Sequence, residues 1–143
     1  MILLDTSGLL AALDGSQDHH RLTAQVLLEA DGPFLLSPFV LAELDYLLTT
    51  RVGLAAEFAL LDEVSRGAYR LEPFDQEDVA AARDVVSRYD TLRIGLADAS
   101  LVVLSARYEL RDVLTLDERH FRALRDLRGR PFRLLPADQS TGS

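Results

Sequence analysis

Short apolar runs alternate along the chain with longer stretches whose apolar positions recur every three or four residues. Five runs read as strands: Ile2-Leu3-Leu4, Phe34-Leu35-Leu36, Tyr69-Arg70-Leu71-Glu72, Val113-Leu114-Thr115-Leu116 and Phe132-Arg133-Leu134-Leu135. The turn signal Asp31-Gly32-Pro33 precedes the second, and Arg66-Gly67 precedes the third. Between the runs the spacing predicts helices, as in Leu41, Leu44, Leu48 and in Val79, Ala82, Val86. Ser37 sets a capping hydroxyl before Pro38 at a first helical position. Asp75 and Asp78 resemble a capping box, with Asp where Glu or Gln is usual. Strands that are short, nearly all apolar and separated by helices predict a parallel sheet covered on both faces. One α/β domain over residues 1–136 is expected, followed by small and polar residues 137–143 as a disordered tail.

Composition narrows the chemistry. The 143 residues include no cysteine, lysine, tryptophan or asparagine. Without cysteine there is no thiolate nucleophile, disulfide or cysteine-ligated zinc. Without lysine there is no P-loop lysine or Schiff base. A receiver domain also gathers aspartates at strand ends, but it relies on a lysine. Haloacid-dehalogenase phosphatases open on strand-Asp-x-Asp, whereas position 7 here is Ser. No stretch approaches the ~20 apolar residues of a membrane span, and the apolar start lacks a basic segment and is broken by Asp5. A cytoplasmic protein is expected.

A net charge of −8 argues at first against a nucleic-acid partner. The charge is uneven, however. Residues 1–82 hold 14 acids against four arginines, and residues 83–143 hold nine acids against 11 arginines. Six arginines fall between Arg119 and Arg133.

Four acids stand where ligands of an open α/β sheet bind, or where ordinary patterning would not put them. Asp5 closes the first strand and Asp117 the fourth, at the carboxyl ends that border such binding crevices. Glu43 has Phe39 and Leu47 as its i−4 and i+4 neighbours, and Asp98 has Ile94, Leu101 and Val102 around it. Each has an ordinary use when taken alone: Asp98 as a charge at a helix N-terminus, Glu43 at a helix boundary, Asp117 as an N-cap. Asp5 is harder to dismiss, because an acid closing a buried strand must protonate, pair or coordinate a cation. With no lysine and few arginines nearby, an all-oxygen site for Mg2+ or Mn2+ fits the set. Adjacent His19 and His20 point about 100° apart and cannot form a paired zinc helix.

These residues resemble a known family. Met1-Ile2-Leu3-Leu4-Asp5-Thr6-Ser7, Ala42-Glu43-Leu44, Gly95-Leu96-Ala97-Asp98-Ala99 and Leu114-Thr115-Leu116-Asp117 are similar, in order and spacing, to the four acidic motifs of PIN-domain ribonucleases. The short form resembles VapC toxins of toxin–antitoxin pairs, over residues 1 to about 136. Ser37-Pro38, Arg93-Ile94-Gly95 and Arg119-His120-Phe121 strengthen the match. The resemblance implies a five-stranded parallel sheet in the order 3-2-1-4-5, and Mg2+- or Mn2+-dependent endonucleolytic cleavage of RNA. It implies Asp5 and Asp98 as principal metal ligands, with Glu43 and Asp117 joining directly or through water. Thr6 or Ser7 would hold Asp5. It also implies a VapB-type antitoxin as partner and a homodimer. Arg93, Arg119, His120 and Arg122, near the third and fourth motifs, are the expected RNA contacts. Residues 44–64 carry more apolar side chains than one helix face needs, so this stretch is expected to help form the antitoxin groove. The competing reading is a non-catalytic PIN-fold module for protein contacts.

Overall fold

A computed structural model describes residues 1–139. In chain order it contains β1 (Ile2–Leu4), α1 (Thr6–Leu13), α2 (His20–Glu29), β2 (Phe34–Leu36), α3 (Pro38–Arg51), α4 (Leu54–Ser65), β3 (Arg70–Leu71), α5 (Gln76–Arg88), α6 (Leu96–Tyr108), β4 (Asp112–Leu114), α7 (Glu118–Ala123) and β5 (Arg133–Leu135). The strands form one parallel sheet in the order β3-β2-β1-β4-β5. This is the order the resemblance implied. It puts β1 and β4 side by side at the reversal, with Leu4 opposite Leu114.

Burial explains which strands are apolar. Leu3, Leu4, Leu35, Leu36, Val113 and Leu114 are fully enclosed, as expected for central strands with helices on both faces, and Leu134 on the edge strand β5 is enclosed as well. The third strand departs from this pattern. It shrinks to Arg70 and Leu71, both exposed, at the sheet edge with only β2 beside it. The fourth run also shifts, to Asp112–Leu114. Thr115 keeps its N–H on the Leu135 carbonyl of β5 at 3.0 Å, and Leu116 begins the bend into α7.

Local signals act as their chemistry requires. The Ser37 hydroxyl caps α3 by accepting from the Phe39 N–H, with Pro38 at the first helical position. Asp75 and Asp78 form a complete reciprocal capping box on α5. Asp117 caps α7, accepting from the His120 N–H at 3.0 Å.

Gly8 on α1 faces the end of β4. A Cβ built there would lie 2.3 Å from the Leu114 carbonyl oxygen and 2.8 Å from the Thr115 nitrogen. That approach seats the start of α1 against the turn after β4, so the Asp5 N–H reaches the Leu114 carbonyl at 3.0 Å.

The expected tail requires correction at its start. Residues 136–138 form a turn after β5, and the Asp138 carboxylate takes both terminal nitrogens of Arg122 at 2.7 Å and the Leu134 N–H at 2.9 Å. These bonds hold the Asp138 carboxyl down to about 2. The remainder of the expected tail, residues 140–143, lies outside the described residues.

Candidate active site

The site sits at the carboxyl end of the sheet, over the seam between β1 and β4. Asp5 leaves β1 directly into the seam and is buried. Its Oδ2 accepts from the Ser7 hydroxyl at 2.8 Å and from the Thr115 hydroxyl at 2.7 Å. Ser7 also accepts the Leu116 N–H at 3.0 Å, and Thr115 accepts the Asp117 N–H at 2.9 Å. Two hydroxyls thereby tie the loop carrying Asp117 to the carboxylate of Asp5. Thr6 turns the other way and donates to Glu43 Oε1 at 2.8 Å. The pairing at Asp5 thus belongs to Ser7, with Thr115 added, while Thr6 serves Glu43.

Asp98 enters from the first turn of α6 and Asp117 from the N-cap of α7. His120, one turn into α7, lies between them, its Nδ1 3.0 Å from Asp98 Oδ2 and 3.1 Å from Asp117 Oδ2. A ligand atom from each of Asp98, Asp117 and His120 can be chosen so that all three lie within 4.8 Å of one another. His120, an expected RNA contact, stands inside the acidic centre. Its i+3 spacing from Asp117 was the available signal, since residues three apart on a helix meet side by side.

The electrostatics show what this cluster lacks. Burial is the main force raising the Asp5 carboxyl above its ordinary range, opposed by the Thr115 and Ser7 hydroxyls and reinforced by Asp117. Burying an ionised carboxylate costs several kcal/mol. Even with hydrogen bonds from Thr115, Ser7 and the Thr6 backbone, the net effect on Asp5 remains upward. Asp98 is pushed up to about 6 by burial first and by the Asp5 charge second, against the pull of His120. Three carboxylates meet here beside a single imidazole. A hard divalent cation suits the carboxylates of this set, since carboxylate oxygens are ligands for Mg2+ or Mn2+.

Glu43 differs from the expectation. It sits exposed on α3 at the rim, reached through Thr6, and apolar burial does not explain its position. What aligns it is the anchoring of α3: the capping Ser37 hydroxyl lies 2.7 Å from that of Ser100, which donates to the Ala97 carbonyl at 2.6 Å. This wholly buried serine pair locks the start of α3 to the turn of α6 that bears Asp98. Ser100 and Thr115 were not singled out by sequence. A serine inside the apolar stretch Ala97–Leu104 was the visible clue to the first.

The expected RNA arginines fare unevenly. Arg122 is held by Glu118 and by both oxygens of Asp138, so its guanidinium fork is already filled. Arg93 and Arg119 are exposed, and neither borders the cavity of about 390 Å3 that Asp5, Glu43, Asp98, Asp117 and His120 line.

A parallel sheet in this order with four acids at its reversal defines a class that known proteins identify. The PIN domain family model matches residues 2–127, and the chain belongs to that family. Within it the resemblance to VapC proteins is borne out. Ribonuclease VapC26 of Mycobacterium tuberculosis is 42% identical over 135 residues, covering 94% of this chain and 100% of that protein. A crystal structure of VapC20 from Mycobacterium tuberculosis, described as a sarcin-ricin loop cleaving toxin, matches with a TM-score of 0.76. That match is 20% identical, covers 82% of this chain and 90% of the other, and concerns the fold.

Proposed function

We propose that this protein is a metal-dependent endoribonuclease toxin of the VapC kind. The observation that carries the reading is the convergence of Asp98, Asp117 and His120 within 4.8 Å, next to buried Asp5, in a PIN-family chain. Asp98, Asp117 and Asp5 would hold a Mg2+ or Mn2+ ion, with His120 as a further donor and Glu43 at the rim directly or through water. Such an ion, when bound, supplies Lewis acidity toward a phosphodiester and makes water more acidic. The chain's own groups do the positioning. Ser7 and Thr115 fix the direction of Asp5, the serine pair fixes Asp98 relative to α3, and Glu43 is placed to accept a proton from an attacking water. Hydrolysis of this type leaves a 5′-phosphate and a 3′-hydroxyl.

Structured transfer or ribosomal RNA, met in the cytoplasm, is the proposed substrate class, and mapping cleavage ends in total RNA would identify the molecule. A VapB-type antitoxin and a homodimer complete the reading. The pair α3–α4 supports a partner surface there, because Tyr46, Leu54 and Phe58 are each more than half exposed while Leu44, Leu48 and Leu60 fill the core. No helix among the described residues is long and apolar enough to cross a membrane.

The test incubates purified protein with RNA and Mg2+ or Mn2+, beside an Asp5→Ala control. Metal-dependent cleavage absent from the control is the expected result. Absence of cleavage in both would favour the non-catalytic module, and full-rate cleavage with Ca2+ in place of Mg2+ would count against the metal assignment. A finer prediction concerns Thr115→Val, which keeps the shape but removes the donor to Asp5 and the acceptor for Asp117. Cleavage should fall by about 10- to 100-fold with folding retained, and Thr115→Ser should restore most of it. Wild-type rates for Thr115→Val would mean that the hydroxyl bridge does not orient Asp5.

A further inference from the structure

The three arginines selected by sequence leave the acidic cavity without a guanidinium, yet one borders it. Glu43, Leu47 and Arg51 follow one another at intervals of four on α3, and so share a helix face. All three line the same cavity as Asp5, Asp98 and Asp117. Seven other arginines are paired to carboxylates, Arg122 and Arg107 among them. Arg51 forms no such pair among the described residues, although several acids line the cavity it borders.

We infer that Arg51 grips a phosphate of the RNA strand adjacent to the scissile one, and so sets the direction in which the strand leaves the acidic centre. The inference rests on the nuclease reading above. Eight residues of helix separate Arg51 from Glu43, about 12 Å along the axis. That is too far for both to act on one phosphate, and suits a phosphate further along the same strand. A cavity walled by acids repels a polyanion everywhere except where positive charge is supplied. A cation held by the acids would supply it at one end, and Arg51 supplies it two helical turns away. Leu47 between them offers an apolar floor where a sugar or base edge can rest. An unpaired guanidinium can engage a phosphate bidentately without first breaking an existing ion pair.

The test compares steady-state cleavage by wild type, Arg51→Gln, Arg51→Lys and, as a surface control, Arg83→Gln. Arg51→Gln should raise KM about five- to tenfold with kcat nearly unchanged. The slope of log(kcat/KM) against log salt should become shallower by about 0.7, the value for one single-strand phosphate contact. Arg51→Lys should recover the slope and only part of KM. Oligonucleotides carrying a neutral methylphosphonate at one linkage at a time then locate the contact. The Arg51→Gln penalty should vanish when the neutral linkage lies one or two nucleotides to one side of the cut, and persist at other positions. A role confined to stabilising the end of α3 would lower the melting temperature and leave the salt slope and the methylphosphonate pattern untouched, which would overturn the inference. Cleavage by wild type with an unchanged KM in Arg51→Gln would do the same while leaving the nuclease reading intact. Failure of wild type to cleave any RNA in Mg2+ or Mn2+ would instead remove the reading beneath it.

Discussion

Asp98→Asn should abolish cleavage and at the same time stabilise the metal-free protein. In the proposed site Asp98 would hold the metal, and losing such a carboxylate would remove several kcal/mol of charge stabilisation, which corresponds to a rate at least ~10³-fold lower. The stability effect follows from the raised carboxyl. Asp98 has its folded value pushed up to about 6 from an ordinary 3.8, mainly by burial and the neighbouring Asp5 charge. Between those two values the folded protein keeps a proton that the unfolded chain releases. Its contribution to stability is therefore fully present below the lower value and lost as pH rises through the higher one. At pH 7.5 the ionised Asp98 costs up to about 3 kcal/mol, because each tenfold change in proton affinity is worth about 1.4 kcal/mol. Asparagine keeps an acceptor for His120 and carries no charge. Its melting temperature in EDTA should exceed that of wild type by several degrees, and the gap should close toward pH 4. Addition of Mn2+ should raise the melting temperature of wild type, through preferential binding to the folded state, and should raise that of the variant much less. Calorimetry across pH 4–8 with and without metal checks this. A variant less stable than wild type in EDTA at pH 7.5 would show that the acidic cluster is not held against its own repulsion.

Gly8→Ala should be the most damaging single-methyl change in the chain. The added Cβ would meet the backbone of Leu114 and Thr115 at 2.3–2.8 Å, and neither is the movable end of a flexible side chain. Overpacking against a fixed backbone costs about 1–3 kcal/mol or more, so at ~3 kcal/mol the melting temperature should drop by about 10 °C. The functional consequence is separate. Pushing α1 away from the end of β4 lengthens the bonds from Ser7 and Thr115 to Asp5 and separates Asp5 from Asp117. Metal affinity should therefore fall more in Gly8→Ala than in a distant variant of equal stability. Parallel measurement of thermal unfolding and Mn2+ binding distinguishes the two effects. A wild-type melting temperature in Gly8→Ala would mean that α1 is free to shift away from β4.

Sequence identified the strands whose apolar runs are buried in the sheet. Ile2–Leu4, Phe34–Leu36 and Leu134–Leu135 sit where a continuous apolar run put them. It did less well at β3 and at the end of β4. β3 exposes both of its residues, and Thr115 stays buried just past the end of β4, with its N–H on the Leu135 carbonyl. Helix caps were legible for a simpler reason: Ser37-Pro38 and the Asp75/Asp78 pair act on backbone groups within a few residues of themselves.

Local spacing and short motifs carried the parallel α/β class, the family resemblance and the four candidate acids. Tertiary structure decided how those acids are used. Only the adjacency of β1 and β4 brings Thr115 to Asp5, and only the start of α7 swings His120 between Asp98 and Asp117. The same holds for charge. The basic stretch from Arg119 to Arg133 contains the expected RNA contacts Arg119 and Arg122, and within it Asp138, Asp126 and Asp112 pair with Arg122, Arg130 and Arg133. The cavity's own guanidinium comes from Arg51 in the acidic half of the chain. A side chain's identity is local, whereas its partner and its cost of burial depend on residues that folding brings close from far along the chain.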